Sequence, residues 1–96
     1  MASIRWTVDA RRDIHAIREY VALYSPTYAA TLIEGILSAV SRLEHFPLSG
    51  RIVPEFENEA IRELIVGDYR VVYALEREGV DILIVAHGSR DIFSQS

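Results

Sequence analysis

The segment that decides the fold runs from Ile61 to His87 and reads IRELIVGDYRVVYALEREGVDILIVAH. It contains three runs rich in β-branched and aromatic residues, at residues 61–66, 69–77 and 80–87. Such runs favour β-strands, and they are separated by dipeptides typical of hairpin turns, Gly67-Asp68 and Glu78-Gly79. The segment therefore predicts three consecutive antiparallel strands.

The residues before this segment predict a short strand and two helices. Ser3–Trp6 is the strand. Two stretches follow in which apolar residues recur at helical spacing: Ala10, Ile14, Ile17, Val21 and Tyr24, then Ala29, Leu32, Ile33, Ile36, Val40 and Leu43. Thr7 or Asp9 can cap the first helix, while Ser25 and Pro26 end it and begin the second.

So short a connection makes the two helices an antiparallel hairpin. The predicted fold is α+β in the order βααβββ, with the helical hairpin packed on one face of an antiparallel β-sheet. The position of the first strand in the sheet does not follow from the pattern. Residues 51–60 are expected to be a solvated acidic loop containing Glu55, Glu57 and Glu59.

Composition predicts one domain, residues 1–96, because 96 residues of which 50% are hydrophobic are enough for a single core. The absence of cysteine excludes disulfides, thiolate chemistry and cysteine metal sites. His15, His45 and His87 are scattered, so neither a metal nor another cofactor is expected. The apolar runs are too short for a membrane span, and the N-terminus has no signal-peptide pattern. A cytoplasmic location is therefore expected.

Charge argues against broad nucleic-acid binding. All ten cationic residues are arginine, and the net charge is −4. Residues 52–96 hold four arginines and nine carboxylates, a net charge of −5. Proteins that depend on phosphate contacts usually have a clustered basic surface, which this sequence does not predict.

Strand alternation assigns side chains to the two faces of the sheet. A two-residue turn at Gly67-Asp68 pairs Val66 with Tyr69 and Glu63 with Val72. The same alternation gives one almost wholly apolar face, which is predicted to pack on the helices. Its central members are Leu64, Val71, Tyr73, Ile82 and Ile84.

The other face mixes apolar and charged residues. Glu63, Arg70 and His87 fall together there, and a turn at Glu78-Gly79 sets Arg70 directly opposite His87. No helix remains to cover an apolar strip of Ile65, Val72, Leu83 and Val85. We therefore expect a macromolecular partner to cover the strip and the isolated chain to self-associate.

Two interpretations of the charged cluster stay open. Glu63 and Arg70 can form an ordinary surface ion pair beside a histidine at a strand end. Alternatively, the cluster is an anion-binding or partner-binding site, which Arg90 reaches from just beyond Gly88-Ser89.

Several short motifs, in this order, are shared with one known family. They are Ala10 with Asp13-Ile14 and 17–20, Phe46-Pro47 with Gly50-Arg51, Arg62-Glu63-Leu64, Tyr69-Arg70-Val71-Val72-Tyr73, Ile84-Val85-Ala86-His87, and Arg90. Through them the chain resembles the ParE/RelE family of bacterial type II toxin–antitoxin toxins over nearly its whole length. The resemblance implies the fold described above. It also implies a growth-inhibiting toxin, neutralised by an antitoxin from the same operon whose C-terminal segment wraps the toxin.

The family has two branches. RelE-like members cut mRNA on the ribosome, using Arg and Lys to hold phosphate and Tyr, His or Glu to move a proton. ParE-like members bind DNA gyrase and perform no chemistry. Arg70 matches the arginine that both branches share, and His87 could be a general acid. The chain nevertheless has no lysine and no tyrosine after Tyr73, which favours the ParE-like branch.

The favoured function is therefore a gyrase inhibitor without catalytic residues and without sequence-specific DNA binding of its own. The predicted target-binding or antitoxin-binding residues are Glu63, Arg70, Val72, Val85, His87 and Arg90. The alternative is a ribosome-dependent mRNA endonuclease with Arg70 and His87 as catalytic residues. A third possibility is a non-toxic binding module on the same fold.

Overall fold

The computed structural model describes residues 1–90, and these confirm the predicted α+β fold with two helices on one face of a sheet. The elements are β1 (Ser3–Trp6), α1 (Val8–Ala22), α2 (Pro26–Ser41), a 3-10 turn (Arg42–Glu44), β2 (Arg51–Ile52), β3 (Ile61–Val66), β4 (Tyr69–Leu75) and β5 (Gly79–His87). The two-residue β2 lies at the start of the segment predicted to be loop. No helix within this part of the chain is long and apolar enough to cross a membrane.

Side-chain caps set the start of each helix. The Thr7 hydroxyl accepts a hydrogen bond from the Ala10 N–H at 3.1 Å. The Ser25 hydroxyl accepts one from the Tyr28 N–H at 3.1 Å, and Pro26 occupies the first helical position. Each cap satisfies a backbone donor that the first helical turn leaves without a partner.

The sheet has the strand order β1-β5-β4-β3-β2 within residues 1–90. Neighbouring strands from β2 to β5 are antiparallel, whereas β1 lies parallel to β5, so the sheet is mixed. Parallel pairing brings Ser3 against Gly79. A Cβ atom on Gly79 would lie 2.1 Å from the Ser3 carbonyl oxygen, so the close approach of β1 to β5 at this position requires a glycine.

The predicted register is confirmed in the first hairpin and wrong in the second. Val66 pairs with Tyr69 and Glu63 with Val72, across a turn in which Gly67 adopts a φ of 58°. In the second hairpin, Leu75 pairs with Val80, so its turn is centred one residue earlier than predicted.

A β-bulge changes which side chains of β5 lie on each face of the sheet. The register of β4 against β5 shifts by one residue between Val72 and Tyr73. Because side chains alternate across a sheet, one extra residue moves every later side chain of β5 to the opposite face. Beyond the bulge, Val71 pairs with Val85 and Val72 with Ile84.

The core beneath the helices therefore differs from the prediction at one position. Leu64, Val71, Tyr73 and Ile82 pack with the helices as predicted, but Ile84 does not. Val85 takes its place in the helix-facing core and is 2% exposed, while Ile84 packs on the opposite face of the sheet.

The predicted exposed strip on that opposite face is wrong, because the chain between β2 and β3 folds across the sheet. Val53 is fully buried against Val72, with Phe56, Ile61 and Ile84 packed around them. The loop is long enough to cross the strands and brings its own apolar side chains. Ile65 remains 57% exposed, but the expected reason for self-association is absent.

Candidate functional site

A chain of ion pairs crosses the loop-covered face of the sheet. Arg70 Nε donates to Glu63 Oε1 at 2.7 Å, and its two terminal nitrogens donate to the two oxygens of Glu55, both at 2.8 Å. The second oxygen of Glu63 accepts from Arg51 Nε at 2.6 Å. The network thereby ties β2, β3, β4 and the loop together.

The centre of this network is closed to solvent. The side chain of Glu63 is fully buried and that of Arg70 is 7% exposed, whereas Arg51 is 62% exposed. The bidentate hydrogen bonds from Arg70 hold the pKa of the Glu55 carboxyl below its ordinary value. Reciprocally, hydrogen bonds to Glu55 and Glu63 raise the pKa of the Arg70 guanidinium despite its burial.

Arg70 is therefore not a free anion-binding group. Each of its three guanidinium nitrogens donates to a carboxylate, and the two arginines balance the two glutamates in charge. Buried charges persist only when they are paired and hydrogen-bonded in this way. The arrangement stabilises the loop over the sheet and leaves Arg70 with no free nitrogen for a phosphate.

His87 lies on the other face, which corrects the predicted pairing with Arg70. Past the bulge, Arg70 pairs with Ala86, and His87 pairs with Tyr69. The rings of Tyr69 and His87 meet edge to face, with centroids 5.5 Å apart. His87 Nδ1 accepts the Ser89 N–H at 3.2 Å and lies 2.8 Å from the Ser89 hydroxyl, an arrangement that assigns the hydrogen of the neutral imidazole to Nε2.

A groove of about 470 Å³ lies beside His87, between α1 and the end of β5. It is lined by Asp13, Ala16, Ile17, Tyr20, Tyr69, Val85, Ala86, His87 and Arg90. Tyr20 is 59% exposed, and its ring contacts Tyr24 at a centroid distance of 5.5 Å. The groove thus combines aromatic surface with one exposed arginine.

Asp13 fixes α1 to the strand that forms the other side of this groove. β1 accompanies β5 only as far as Ile82, and beyond that point Asp13 Oδ2 accepts the Val85 N–H at 2.9 Å. Burial raises the pKa of the Asp13 carboxyl, while the Val85 N–H and the charge of Arg90 act in the opposite direction. The carboxylate satisfies a backbone donor at an edge that no strand within residues 1–90 covers.

No group of three His, Asp or Glu side chains within residues 1–90 is arranged to hold a metal ion.

A family model for the ParE toxin of the type II toxin–antitoxin system parDE matches residues 4–92. The chain belongs to the ParE/RelE family of toxins. Among curated relatives, a Sinorhizobium fredii protein named "Putative toxin Y4kP" is 36% identical over 86 residues, covering 88% of this chain and 85% of the relative. Toxin RelE2 of Caulobacter vibrioides is 31% identical over 91 residues, covering 94% and 99%.

Solved structures of the family have the same fold as this ParE/RelE toxin. A chain of the chromosomal ParDE toxin–antitoxin system from P. aeruginosa matches with a TM-score of 0.74 and 26% identity, covering 91% of this chain and 96% of that one. A chain of the toxin–antitoxin complex RelBE2 from Mycobacterium tuberculosis matches with a TM-score of 0.59 and 26% identity, covering 90% and 96%.

The toxin places its six predicted binding residues in three locations. Glu63, Arg70 and Val72 are buried beneath the loop, and Val85 is buried beneath the helices. Only His87 and Arg90 are exposed, and they share the groove beside α1.

Arg51, Glu55 and Asp13 have structural partners but are not among the predicted binding residues of this toxin. Glu55 was expected to be solvated, but it neutralises Arg70. A signal for this was present, because an arginine within an apolar strand needs a carboxylate and the acidic loop is nearby in sequence. Asp13 had a weaker signal, as a carboxylate beside the apolar stripe of α1.

Proposed function

We propose that this ParE/RelE toxin inhibits growth by binding DNA gyrase and that it performs no chemistry of its own. The observation that supports this most directly is the separation of Arg70 from His87. The two residues lie on opposite faces of the sheet, and Arg70 is already neutralised by Glu55 and Glu63.

This separation argues against the nuclease alternative. A ribosome-dependent nuclease needs a cation on the reacting phosphate and a proton donor within hydrogen-bond reach of the same centre. Arg70 and His87 cannot meet one phosphate while the sheet stands between them. The two remaining histidines, His15 and His45, do not lie on strands of the sheet, and the chain has no lysine.

The proposed target-binding surface is the groove that contains His87 and Arg90. Tyrosine and arginine are enriched among residues that dominate protein–protein binding, and Tyr20, Tyr69 and Arg90 line this groove together. Binding through such a surface requires shape complementarity and a few anchors, which suits a small protein of net charge −4.

We also propose that a cognate antitoxin neutralises this toxin. The M. tuberculosis neighbour is a toxin–antitoxin complex, and the P. aeruginosa neighbour belongs to a toxin–antitoxin system. Family membership supports the same arrangement here.

The second candidate is the RelE-like mRNA endonuclease, which the similarity to Toxin RelE2 favours. The fold comparison favours the ParE-like branch instead. At the same 26% identity and nearly the same coverage, the TM-score is 0.74 against the ParDE chain and 0.59 against the RelBE2 chain.

A paired assay distinguishes the candidates. We expect the purified toxin to inhibit supercoiling by gyrase and to leave ribosome-bound mRNA intact. Arg90→Ala should weaken the inhibition, whereas Arg77→Ala, at the exposed β4–β5 turn, should retain it.

Cleavage of mRNA within ribosomal A-site codons, with gyrase unaffected, would instead establish the nuclease. A non-toxic binding module would neither inhibit gyrase nor cleave mRNA in vitro. A susceptible host that expresses the folded chain would then grow normally.

A further inference from the structure

The bulge in β5 consists of one extra residue, Leu83. Tyr73 pairs with Ile82 and Val72 pairs with Ile84, so Leu83 has no partner on β4. If the ladder continued without the bulge, Val72 would pair with Leu83 instead. The same strand could therefore follow two registers beyond Ile82.

The apolar pattern of β5 hardly distinguishes these two registers. Without the bulge, Ile84 would face the helices and Val85 would face the opposite side, so one β-branched apolar side chain would replace another. The change would also move His87 from the groove beside α1 to the opposite face of the sheet. Something other than hydrophobic burial must therefore select the bulged register.

Thr7, the N-cap of α1, makes a contact that depends on the bulge. Its hydroxyl donates to the carbonyl oxygen of Ile82 at 2.8 Å and lies 3.4 Å from the carbonyl oxygen of Leu83. Successive carbonyl groups of a regular strand point to opposite edges, so two of them face one hydroxyl only where the strand is irregular. The same oxygen accepts the Ala10 N–H at 3.1 Å and caps the helix.

Asp13 holds the strand on the other side of the bulge. α1 continues along the edge of β5 where β1 ends, and Asp13 Oδ2 accepts the Val85 N–H at 2.9 Å. Asp13 also lines the groove beside His87, whereas Thr7 is not among the residues within 1–90 that line it. Thr7 can therefore be substituted without changing the surface of the groove.

We propose that Thr7 is a positioning residue for this groove. By donating to the Ile82 carbonyl within reach of the Leu83 carbonyl, its hydroxyl selects the bulged register and keeps His87 and Arg90 beside α1. The effect on inhibition rests on the proposed function, in which the groove binds gyrase. The choice of register does not depend on the target.

Two substitutions separate this role from helix capping. Thr7→Asp keeps a good N-cap acceptor, but an ionised carboxylate cannot donate to a carbonyl. Thr7→Ser keeps both abilities. We expect the edge-to-face contact between the rings of Tyr69 and His87, observed as NOE cross-peaks, to be lost in Thr7→Asp and retained in Thr7→Ser.

Inhibition of gyrase should follow the ring contact. Thr7→Asp should weaken it by about tenfold or more, whereas Thr7→Ser should stay within about twofold of the wild type. Circular dichroism verifies that both variants keep their helices.

Deletion of Leu83 provides a rescue experiment. Without the extra residue, the pairs on both sides of it follow one another by ordinary alternation, and His87 stays beside Tyr69 without help from Thr7. The double variant, Thr7→Asp with Leu83 deleted, should therefore recover both the ring contact and the inhibition. A general loss of stability at Thr7 would not be repaired by removing a second residue.

A ring contact that persists in Thr7→Asp, or that is lost equally in Thr7→Ser, would overturn the proposal. Failure of the double variant to recover the contact would also overturn it, and this comparison decides alone if Thr7→Asp does not fold. The NMR measurement needs no gyrase. If Thr7→Asp loses the ring contact in a toxin that does not inhibit gyrase, the role of Thr7 stands and the proposed function fails.

Discussion

The guanidinium of Arg70 makes three hydrogen bonds of 2.7–2.8 Å to two carboxylates, and its side chain is 7% exposed. An arginine in such surroundings contributes by compensating buried charge. Removing it leaves Glu63 fully buried with Arg51 as its remaining partner. Arg90 is exposed and forms no ion pair with any other residue of the described segment 1–90. Removing an arginine is therefore expected to cost much more stability at position 70 than at position 90.

Arg70→Ala should lower the free energy of unfolding by about 3–5 kcal/mol, because breaking a buried ion pair leaves an uncompensated charge. Arg90→Ala should change the free energy by less than about 0.5 kcal/mol, as expected for an exposed position. Urea denaturation of both variants measures the difference. If Arg70→Ala unfolded at the same urea concentration as the wild type, the network would contribute little to stability.

Glu55 should make stability fall in acid. Its pKa is held below the ordinary 4.5 by Arg70, so its contribution is complete above about pH 4.5 and is lost as pH falls through the lower folded-state pKa. Burial raises the pKa of Asp13 above the ordinary 3.8, so the contribution of Asp13 becomes more favourable as pH falls. Of these two carboxyls, only Glu55 contributes to a loss of stability in acid.

The corresponding variant is Glu55→Gln, compared with wild type by urea denaturation from about pH 7 to about pH 3. We expect the variant to be less stable near neutrality and the difference to shrink in acid. A difference that stays constant over this range would show that ionisation of Glu55 does not stabilise the fold.

At the scale of elements, two features of the sheet position the surfaces of this toxin. The bulge between β4 and β5 places Val85 under the helices and separates His87 from Arg70. The parallel pairing of β1 with β5 depends on the close approach of Ser3 to Gly79. Both features are contacts between segments, and neither is a property of a single strand.

Gly79→Ala should disrupt β1, since its Cβ would lie 2.1 Å from the Ser3 carbonyl oxygen. We expect a loss of about 2 kcal/mol or more in unfolding free energy and faster hydrogen exchange at Ser3. Gly35→Ala is the control: its Cβ would meet Val66 at 3.6 Å, an ordinary contact, and alanine favours a helix by up to about 1 kcal/mol. Equal stability of the two variants would contradict the close approach.

At the scale of the whole molecule, the distribution of charge determines which partners the loop-covered face can attract. The net charge is −4, and the loop-covered face has its two arginines balanced by Glu55 and Glu63. Glu57 and Glu59 are exposed on the same loop. A polyanion approaching this face meets negative charge, which agrees with a toxin that acts by binding a protein.

The toxin should therefore bind single-stranded RNA more weakly than about 100 µM at physiological salt. The double variant Glu57→Lys/Glu59→Lys raises the net charge from −4 to 0 and makes the loop basic. It should bind RNA at least about tenfold more tightly. Fluorescence anisotropy with a labelled oligonucleotide measures both affinities. Micromolar RNA binding by the unmodified toxin would count against the proposed function.

The sequence alone determined the helices, the first hairpin and most of the core. Caps such as Thr7 and Ser25, and the alternation around Gly67-Asp68, depend on residues adjacent in the chain, so local chemistry specifies them. The order of short motifs was likewise enough to predict the family, which the comparisons confirmed.

Only the tertiary structure decided how the predicted site residues are arranged. The bulge at Leu83, opposite Val72 and Tyr73, has no residue signature, yet this one extra residue moves His87 to the opposite face. The burial of Arg70 depends on Glu55 crossing the sheet in a loop that periodicity does not describe. Local patterns specify which face a side chain takes relative to its neighbours, whereas pairing between distant segments sets which side chains meet.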